Sequence, residues 1–299
     1  MALEPLYLID ASIYIFRSYF GMPQSITNAG GAPANAVHGY ASFLGQLLCK
    51  AQPRFIAAAF DESLDQCFRN ELYPDYKANR SLPEPELATQ LQWCRDLTEL
   101  LGIKTYASER FEADDLIGTL ARRMRGHRFR MVYVTGDKDL GQLLVEQDRL
   151  WDFANDTWLA HDGIRQRFGV APHQLVDYLA LAGDAIDNIP GVPGIGARTA
   201  AALLQEFESL DELYGYLRTR DLRQRDGFHL RGVDRTENLL RAHEEQARTS
   251  KVLATIADNA PIRPQPQSLR RKPVSERKLL AWLDENGFGT RLRSQLLKL

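Results

Sequence analysis

The chain has 299 residues, 44% of them apolar, which allows one large core or a core with an appended domain. No apolar run approaches the roughly 18 residues that span a bilayer. The first residues lack the basic region of a signal peptide, and three cysteines without metal-ligand spacing are typical of a reducing cytosol. The composition therefore predicts a cytoplasmic protein with no membrane partner, and we expect a monomer.

The net charge of −2 conceals an asymmetry along the chain. Residues 1–215 contain 19 basic and 29 acidic side chains, a net of −10, whereas residues 216–299 contain 18 and 10, a net of +8. A basic portion of this kind is able to follow a phosphate backbone. A charged surface that is merely solvated is the alternative.

Short apolar runs alternate with amphipathic segments in the first half of the chain. The predicted strands are 6–10, 55–61, 104–107 and 131–136, and the predicted helices between them are 35–50, 85–101 and 113–125. This alternation predicts an α/β fold with a parallel sheet flanked by helices. After about residue 150 the strand signal fades and short helices are expected, at 163–168, 172–182, 197–207 and 210–217. An irregular connector over 260–273 leads to a final helix at 275–285.

Acidic residues recur at the points where these strands end. Because the carboxyl ends of parallel strands share one edge of a sheet, the acids are expected to converge there. Such a cluster stays ionised at pH 7 only if cations neutralise it, and Mg²⁺ or Mn²⁺ with oxygen ligands is the natural counter-charge. The candidate metal ligands are Asp10, Asp61, Glu112, Asp114, Asp115, Asp137, Asp139, Asp184 and Asp187.

Two of the acidic motifs also have a purely structural interpretation. Acids at 112–115 fall in a first helical turn, where they cap N–H groups and suit the helix dipole. Asp137 and Asp139 follow a strand and a glycine, as in a turn with an N-cap. Three acids in four residues exceed what capping needs, and the repetition of the pattern at every strand end favours a metal-dependent phosphoryl-transfer site.

The stretch 183–200 carries glycines at 191, 194 and 196, which permit a tight hairpin before a helix near Ala197. Backbone N–H groups at that helix start are expected to face a phosphate, as in a helix-hairpin-helix that grips DNA without reading bases. Gly194 and Gly196 are the candidate phosphate contacts, and a plain glycine-rich loop is the alternative.

A small cationic face is predicted just after Asp61. Lys77 and Arg80 are three residues apart, with Tyr76 beside them, and could hold a scissile phosphate or stack on a base. Ordinary surface charge is the alternative for both. Arg17, on the segment after Asp10, is a weaker candidate for the same phosphate surface.

Taken together, these motifs resemble the 5′-nuclease (flap endonuclease) family. The sequence is similar to the N-terminal 5′→3′ exonuclease domain of bacterial DNA polymerase I and its stand-alone homologues, over roughly residues 5–255. No polymerase segment follows in the sequence, which favours the stand-alone form, and all nine acids are kept. The motifs are Asp10, Asp61, 76–80, 111–116, 135–139 and 183–196.

The resemblance implies a PIN-like catalytic core over 1–182 with a helical arch at about 62–92. It further implies a helix-hairpin-helix region over 183–257, followed by a helical extension over 258–299. The expected activity is two-metal hydrolysis of DNA phosphodiesters at 5′ flaps, single-strand/double-strand junctions and 5′ ends, in replication and repair. The first ion is assigned to Asp10, Asp61, Glu112 and Asp114, and the second to Asp115, Asp137, Asp139, Asp184 and Asp187.

Related hairpins bind K⁺ between protein and a duplex phosphate, so the resemblance also implies K⁺ here. The backbone oxygens of Pro190, Val192 and Ile195 are the candidate donors, and a hairpin that uses amides alone is the alternative. Two other functions stay open for the whole chain: a PIN-type ribonuclease and a DNA-junction-binding protein whose metal site has decayed.

Overall fold

A computed structural model describes residues 3–62, 67–79 and 85–298. Six strands form one sheet in the order β3-β2-β1-β4-β5-β6, and only the pair β5–β6 is antiparallel. The predicted parallel α/β sheet is therefore confirmed, with one antiparallel edge strand. The strands are β1 (Glu4–Asp10), β2 (Phe55–Asp61), β3 (Lys104–Ser108), β4 (Phe129–Val134), β5 (Arg149–Asp152) and β6 (Thr157–Ala160).

Helices surround the sheet and form the second half of the chain. None of those within the described ranges is long and apolar enough to cross a membrane. They are α1 (Ala11–Gly21), α2 (Asn35–Ala51), α3 (Phe68–Leu72), α4 (Pro85–Leu100), α5 (Ala113–Met124), α6 (His161–Phe168), α7 (Leu175–Ala182), α8 (Ala197–Glu206), α9 (Leu210–Leu217), α10 (Val233–Ala242), α11 (Glu244–Ala254), α12 (Glu276–Glu285) and α13 (Thr290–Leu296).

Strands β5 and β6 and the helices α1, α3, α10, α11 and α13 were not predicted from the sequence. The two strands have only four residues each, and β6 is largely exposed, so neither carries a buried apolar run. Helix α1 follows β1 without a break, since Asp10 both ends the strand and accepts a hydrogen bond from the Ile13 N–H as N-cap. Such a junction has no turn residues to mark it.

The central strands are buried on both faces, which separates two cores. The side chain of Ile9 faces α1, α2 and α4, whereas those of Leu6 and Leu8 face α5. This alternation is the period of a strand packed between two helical layers. The sheet is thus held rigidly, and so are the residues at its edges.

A third core begins at Val170 and belongs to the helical second half. It packs around Leu203, Phe207 and Tyr214, which lie on or beside α8 and α9. Helix α7 contacts both α8 and α11, and the loop that leaves α7 at Gly183 returns to the carboxyl edge of the sheet.

The last helices complete the first core. Leu279 and Leu283 of α12, and Leu292 and Leu296 of α13, are buried among residues of the α1–α2–α4 layer. Helix α12 contacts α4, and α13 contacts α2. The segment expected as an extension therefore packs on the sheet domain.

Candidate metal and nucleic-acid site

Acidic side chains from five segments meet at the carboxyl edge of the sheet. Asp10 ends β1, Asp61 ends β2, and Asp114 lies in the first turn of α5. Asp137 and Asp139 follow β4, and the loop after α7 adds two more acids, Asp184 and Asp187. The structure thus gathers at one edge acids that are far apart in the sequence.

The crowding of these carboxylates shows in their protonation. Burial first, and then the charges of Asp61 and Asp137, raise the pKa of Asp10 to about 7. Burial, with Asp137 and Asp184, raises the pKa of Asp139 to about 7 as well. Without an added cation, the cluster holds protons that isolated carboxyls would release.

The pKa values of three more acids are also raised. Burial raises the pKa of Asp61, with Glu112 adding to the effect, and burial raises the pKa of Asp137. Burial with the charge of Asp10 raises the pKa of Asp114 well above its usual range.

Hydrogen bonds from neighbouring groups orient Asp10 and Asp61. The Thr135 hydroxyl donates to Asp10 Oδ2 at 2.9 Å, and the backbone N–H of Ala113 donates to Asp61 Oδ1 at 2.8 Å. The Asp61 N–H in turn donates to the Ser12 hydroxyl at 2.9 Å. These bonds join the ends of β1 and β2 to the start of α5.

Lys77 is inserted into the acidic edge. Its Nζ lies 2.5 Å from Glu112 Oε1 and 3.5 Å from Asp187 Oδ2. The Tyr76 hydroxyl donates to Glu112 Oε2 at 3.1 Å. Burial alone would raise the pKa of Glu112, but Lys77 and Arg69 outweigh it and lower that pKa. Lys77 and Tyr76 therefore both lie against Glu112.

The backbone of residues 73–79 is fixed to the loop that follows α7. The Asn188 amide donates to the Asp75 carbonyl at 2.6 Å, and the Asn79 amide donates to the Ala185 carbonyl at 3.0 Å. Lys77 itself has a φ of +55°, and its N–H donates to the Asp187 carbonyl at 3.1 Å. Lys77 is thus held in place by contacts between two distant segments.

Asp115 departs from the prediction that it ligates a metal. It is fully buried, and Arg69 binds both of its oxygens, with distances of 2.8 Å from Nη1 and 2.7 Å from Nη2. The N–H groups of Glu112 and Ala257 also donate to it, at 3.0 and 2.8 Å. Because these four bonds use its acceptor sites, Asp115 has no oxygen to offer a metal as it stands.

Arg69 joins three parts of the molecule. Besides Asp115 it contacts Glu112 Oε2 at 2.6 Å, and it donates to the carbonyls of Leu253 and Thr255 at 2.9 and 2.6 Å. It therefore fixes the start of α5 to α3 and to the end of α11. No periodic or charge pattern in the sequence indicates a role for this buried arginine.

Lys138 is the other cation that sequence reasoning passed over. It lies between two acids of the 135–139 motif, and its Nζ is 3.3 Å from Asp184 Oδ2. Its position inside an acidic motif was the available signal. Thr135, which contacts Asp10, belongs to the same motif.

The acid set fits hard divalent cations in its chemistry, since every donor is an oxygen. Asp139 Oδ1 is buried without a hydrogen-bond partner, as a ligand atom without its ion would be. Within the described ranges, however, no three acidic, histidine or cysteine side chains converge on one metal-binding point. Lys77 and Lys138 supply the positive charge there, so binding an ion requires them to move aside.

The predicted hairpin is present between α7 and α8. Gly191 and Gly194 have positive φ angles of 60° and 83°, and a Cβ on Gly191 would collide with the Gly183 backbone. The Val192 carbonyl accepts from the Ile195 N–H at 2.9 Å, which closes the turn. Gly194 and Gly196 are exposed at its tip, just before α8.

Arg17 and Arg80 are the two other side chains that were predicted to contact a phosphate. Arg17 is exposed on α1, away from any described ion pair. Arg80 lies outside the described residues. Of the predicted arch at 62–92, the described part comprises α3, the turns of 73–79 and the first half of α4.

The chain belongs to the 5′-3′ exonuclease family. The model of its N-terminal resolvase-like domain matches residues 5–169, and the model of its C-terminal SAM fold matches residues 170–277. The chain is 34% identical over 297 residues to DNA polymerase I of Rhizobium leguminosarum, covering 97% of this chain and 28% of that protein. It is 41% identical over 215 residues to DNA polymerase I of Treponema pallidum, covering 71% of this chain and 22% of that protein. The chain thus spans about a quarter of these relatives.

Solved structures share the fold. The T5 5′-exonuclease, solved with zinc bound, has a TM-score of 0.66 at 22% identity, covering 84% of this chain and 89% of that one. The catalytic core of Rad2 in complex with a DNA substrate has a TM-score of 0.64 at 14% identity, covering 99% and 92%. The α/β core with an appended helical domain is therefore a known nuclease architecture.

The raised carboxyl pKa values predict an unusual pH dependence of stability without metal. Because the folded pKa values of Asp10 and Asp139 are about 7, against a usual value of 3.8, the folded chain holds the extra protons between these limits. The free energy of unfolding in EDTA should therefore fall as pH rises from about 4 to about 7, by up to about 1.4 kcal/mol per pH unit for each group.

Urea unfolding at several pH values measures this slope. Asp139→Asn should make it shallower and raise stability near pH 7, whereas the exposed control Asp162→Asn should leave it unchanged. Metal-free stability that rises over this interval would contradict the burial and repulsion described for the acids.

Proposed function

We propose that this chain is a divalent-metal-dependent 5′ nuclease, acting on DNA as a 5′→3′ exonuclease and 5′-flap endonuclease. The observation that carries the proposal is the carboxylate edge of a chain of the 5′-3′ exonuclease family. Bound protons and two lysines, in place of metal ions, offset the negative charge of this edge. An edge of buried repelling acids is costly to maintain for stability alone, which favours a functional reason for it.

Two ions, Mg²⁺ with Mn²⁺ as a substitute, are proposed to bind these acids. Asp10, Asp61, Glu112 and Asp114 would hold the first, and Asp137, Asp139, Asp184 and Asp187 the second, while Asp115 instead holds Arg69 in place. Such ions lower the pKa of an attacking water and stabilise charge on the leaving oxygen. Arg69 keeps Glu112 and the start of α5 in position for them.

Lys77 is proposed to pass from Glu112 to the scissile phosphate when ions and DNA bind. A flexible ammonium already at the acidic edge has only a short distance to move, and it would offset charge in the transition state. Arg80 and Tyr76 are proposed to share this phosphate surface, and Arg17 to extend it. The protein itself is proposed to be cytoplasmic and monomeric.

Asp114→Asn tests the metal proposal. Removing one carboxylate from the crowded edge should abolish cleavage of a 5′-flap DNA in Mg²⁺ while flap affinity persists, and excess chelator should do the same to the parent protein. The measurement compares a 5′-flap DNA, a blunt duplex and a single-stranded RNA. Preference for the RNA would identify a PIN-type ribonuclease, and flap binding without any cleavage by the parent protein would identify a junction-binding protein.

Lys77→Ala separates catalysis from binding. Loss of a charge that acts in the transition state should lower the single-turnover rate about 10²- to 10³-fold, with flap affinity nearly unchanged. Lys50→Ala, at an exposed ion pair with Asp156, is the matched control. Equal losses of rate and affinity would mark Lys77 as a binding residue only.

The hairpin is proposed to bind K⁺ together with a duplex phosphate. Pro190, Val192 and Ile195 would contribute carbonyl oxygens, and Gly194 and Gly196 would contribute N–H groups to the phosphate. Duplex affinity should be higher in KCl than in tetramethylammonium chloride at equal ionic strength, where general screening is the same. Equal affinity in both salts would mean that the hairpin binds through amides alone.

A further inference from the structure

Two sets of basic side chains in residues 216–299 differ in their partners. Those on or near α9–α11 are largely committed to carboxylates: Arg218, Arg223, Arg225, Arg241, Arg248 and Lys251 each form an ion pair. Five others, at the end of the connector and the start of α12, have no carboxylate at ion-pair distance within the described part of the chain. They are Arg270, Arg271, Lys272, Arg277 and Lys278. Five unneutralised cations thus fall within nine consecutive residues, 270–278, whereas the other basic residues without such a partner are spread along the portion: Arg220, Arg231, Arg235, Arg263, Arg291 and Lys298.

This segment is fixed in place by backbone contacts. The Arg271 N–H donates to the Arg54 carbonyl at 2.9 Å, and the Lys272 N–H donates to the Gly102 carbonyl at 2.9 Å. Gly102 has a φ of +81°, and a Cβ there would collide with the Lys272 carbonyl. The chain thus runs along the amino ends of β2 and β3 as a rigid extended strip, with its cations held at set positions.

A cleft of about 330 Å³ opens beside this strip. Four cations line it, Arg54, Arg270, Arg271 and Lys272, and no carboxylate does. Arg271 is half-buried, its Nε–H donates to the Leu101 carbonyl at 3.2 Å, and burial lowers its pKa. Only Arg54 has an acidic partner, in an exposed pair with Glu4 at 2.9 Å, and such pairs contribute little.

The cleft lies across the sheet from the acids. It adjoins Phe55, where β2 begins, whereas Asp61 at the other end of β2 belongs to the acidic edge. Seven residues of strand span about 20 Å at roughly 3.3 Å per residue. A ligand in the cleft is therefore separate from the catalytic edge, and a polymer that contacts both must pass around the helices that cover the sheet, over a path longer than about 20 Å.

We propose that the strip of Arg270, Arg271, Lys272 and Lys278 is a second binding surface for nucleic-acid phosphates, which holds a duplex arm of the DNA at a distance from the cleavage site. Guanidinium and ammonium groups on a rigid strand suit phosphates. An acidic polypeptide would also require apolar anchors, and the cleft offers only Pro53, Pro273 and Val274. The inference rests on the proposed function for its choice of DNA.

An arm must be long enough to reach the strip. At 3.4 Å per base pair, about 20 Å corresponds to about six base pairs, and the path around the helices is longer, so an arm of six base pairs falls short of the strip. Flap DNAs whose duplex arm is a hairpin of six or of twenty base pairs therefore separate the two surfaces. Binding is measured by fluorescence anisotropy in EDTA, where no cleavage occurs, so that a failure of this inference is distinguishable from a failure of the catalytic proposal.

The test variant is Arg270→Gln/Lys272→Gln/Lys278→Gln, in which all three side chains are exposed. The control is Arg123→Gln/Arg165→Gln/Arg167→Gln, three exposed cations on α5 and α6 with the same charge change. The test variant should weaken binding of the long-arm DNA at least about 10-fold and reduce the salt dependence by about 2–3 in log–log slope. Its affinity for the short-arm DNA and its saturating single-turnover rate should match those of the parent protein.

Three outcomes would overturn the proposal. Equal weakening by the control variant, or equal weakening for short and long arms, would show only general electrostatic attraction. Displacement of the long-arm DNA from the parent protein, but not from the test variant, by polyglutamate at equal charge would assign the strip to an acidic polypeptide instead.

Discussion

The mutual repulsion of the carboxylates at the edge of the sheet is the constraint on which the rest of the structure depends. The acids cannot all be charged in a buried space, so the fold places cations among them. Lys77 and Arg69 lie against Glu112, and Lys138 lies against Asp184. Protons held by Asp10 and Asp139 offset a further part of the negative charge.

The topology explains why segments so distant in sequence share this edge. Strands β1, β2 and β4 are adjacent and parallel, so their carboxyl ends lie side by side. Helix α5 begins where Asp61 accepts the Ala113 N–H. The helical domain contributes the loop of Asp184 and Asp187, which residues 73–79 hold in place. The edge is therefore complete only when both domains are folded together.

The sequence predicted those parts of the fold that depend on local pattern. Strands β1, β2 and β4 and helices α2, α4 and α5 carry apolar periodicity or capping acids, and the acids at their ends follow from the geometry of a parallel sheet. Short β5 and β6 lack such a pattern. The packing of α12 and α13 on the first core could not be predicted either, because a long-range contact leaves no local pattern in the sequence.

The same distinction holds at the site. The acids and Lys77 could be chosen because they form motifs, whereas Arg69 is a single basic residue on a five-residue helix. Its partner Asp115 looked like a ligand because it stands in an acidic run, yet the fold turns it toward Arg69 and the Ala257 N–H. Which member of an acidic motif faces the cluster depends on tertiary packing, and the spacing alone does not determine it.

The exchange of protons and lysines for metal ions is the central claim, and calorimetry of Mg²⁺ binding tests it directly. Titrations at pH 7 in two buffers of different ionisation enthalpy give the number of protons released. Because Asp10 and Asp139 have pKa values of about 7, these two acids together should release about one proton as the ions bind, other acids with raised pKa values can add to it, and Asp139→Asn should release fewer. Binding with no proton release at pH 7, or no binding of Mg²⁺ at all, would contradict this account.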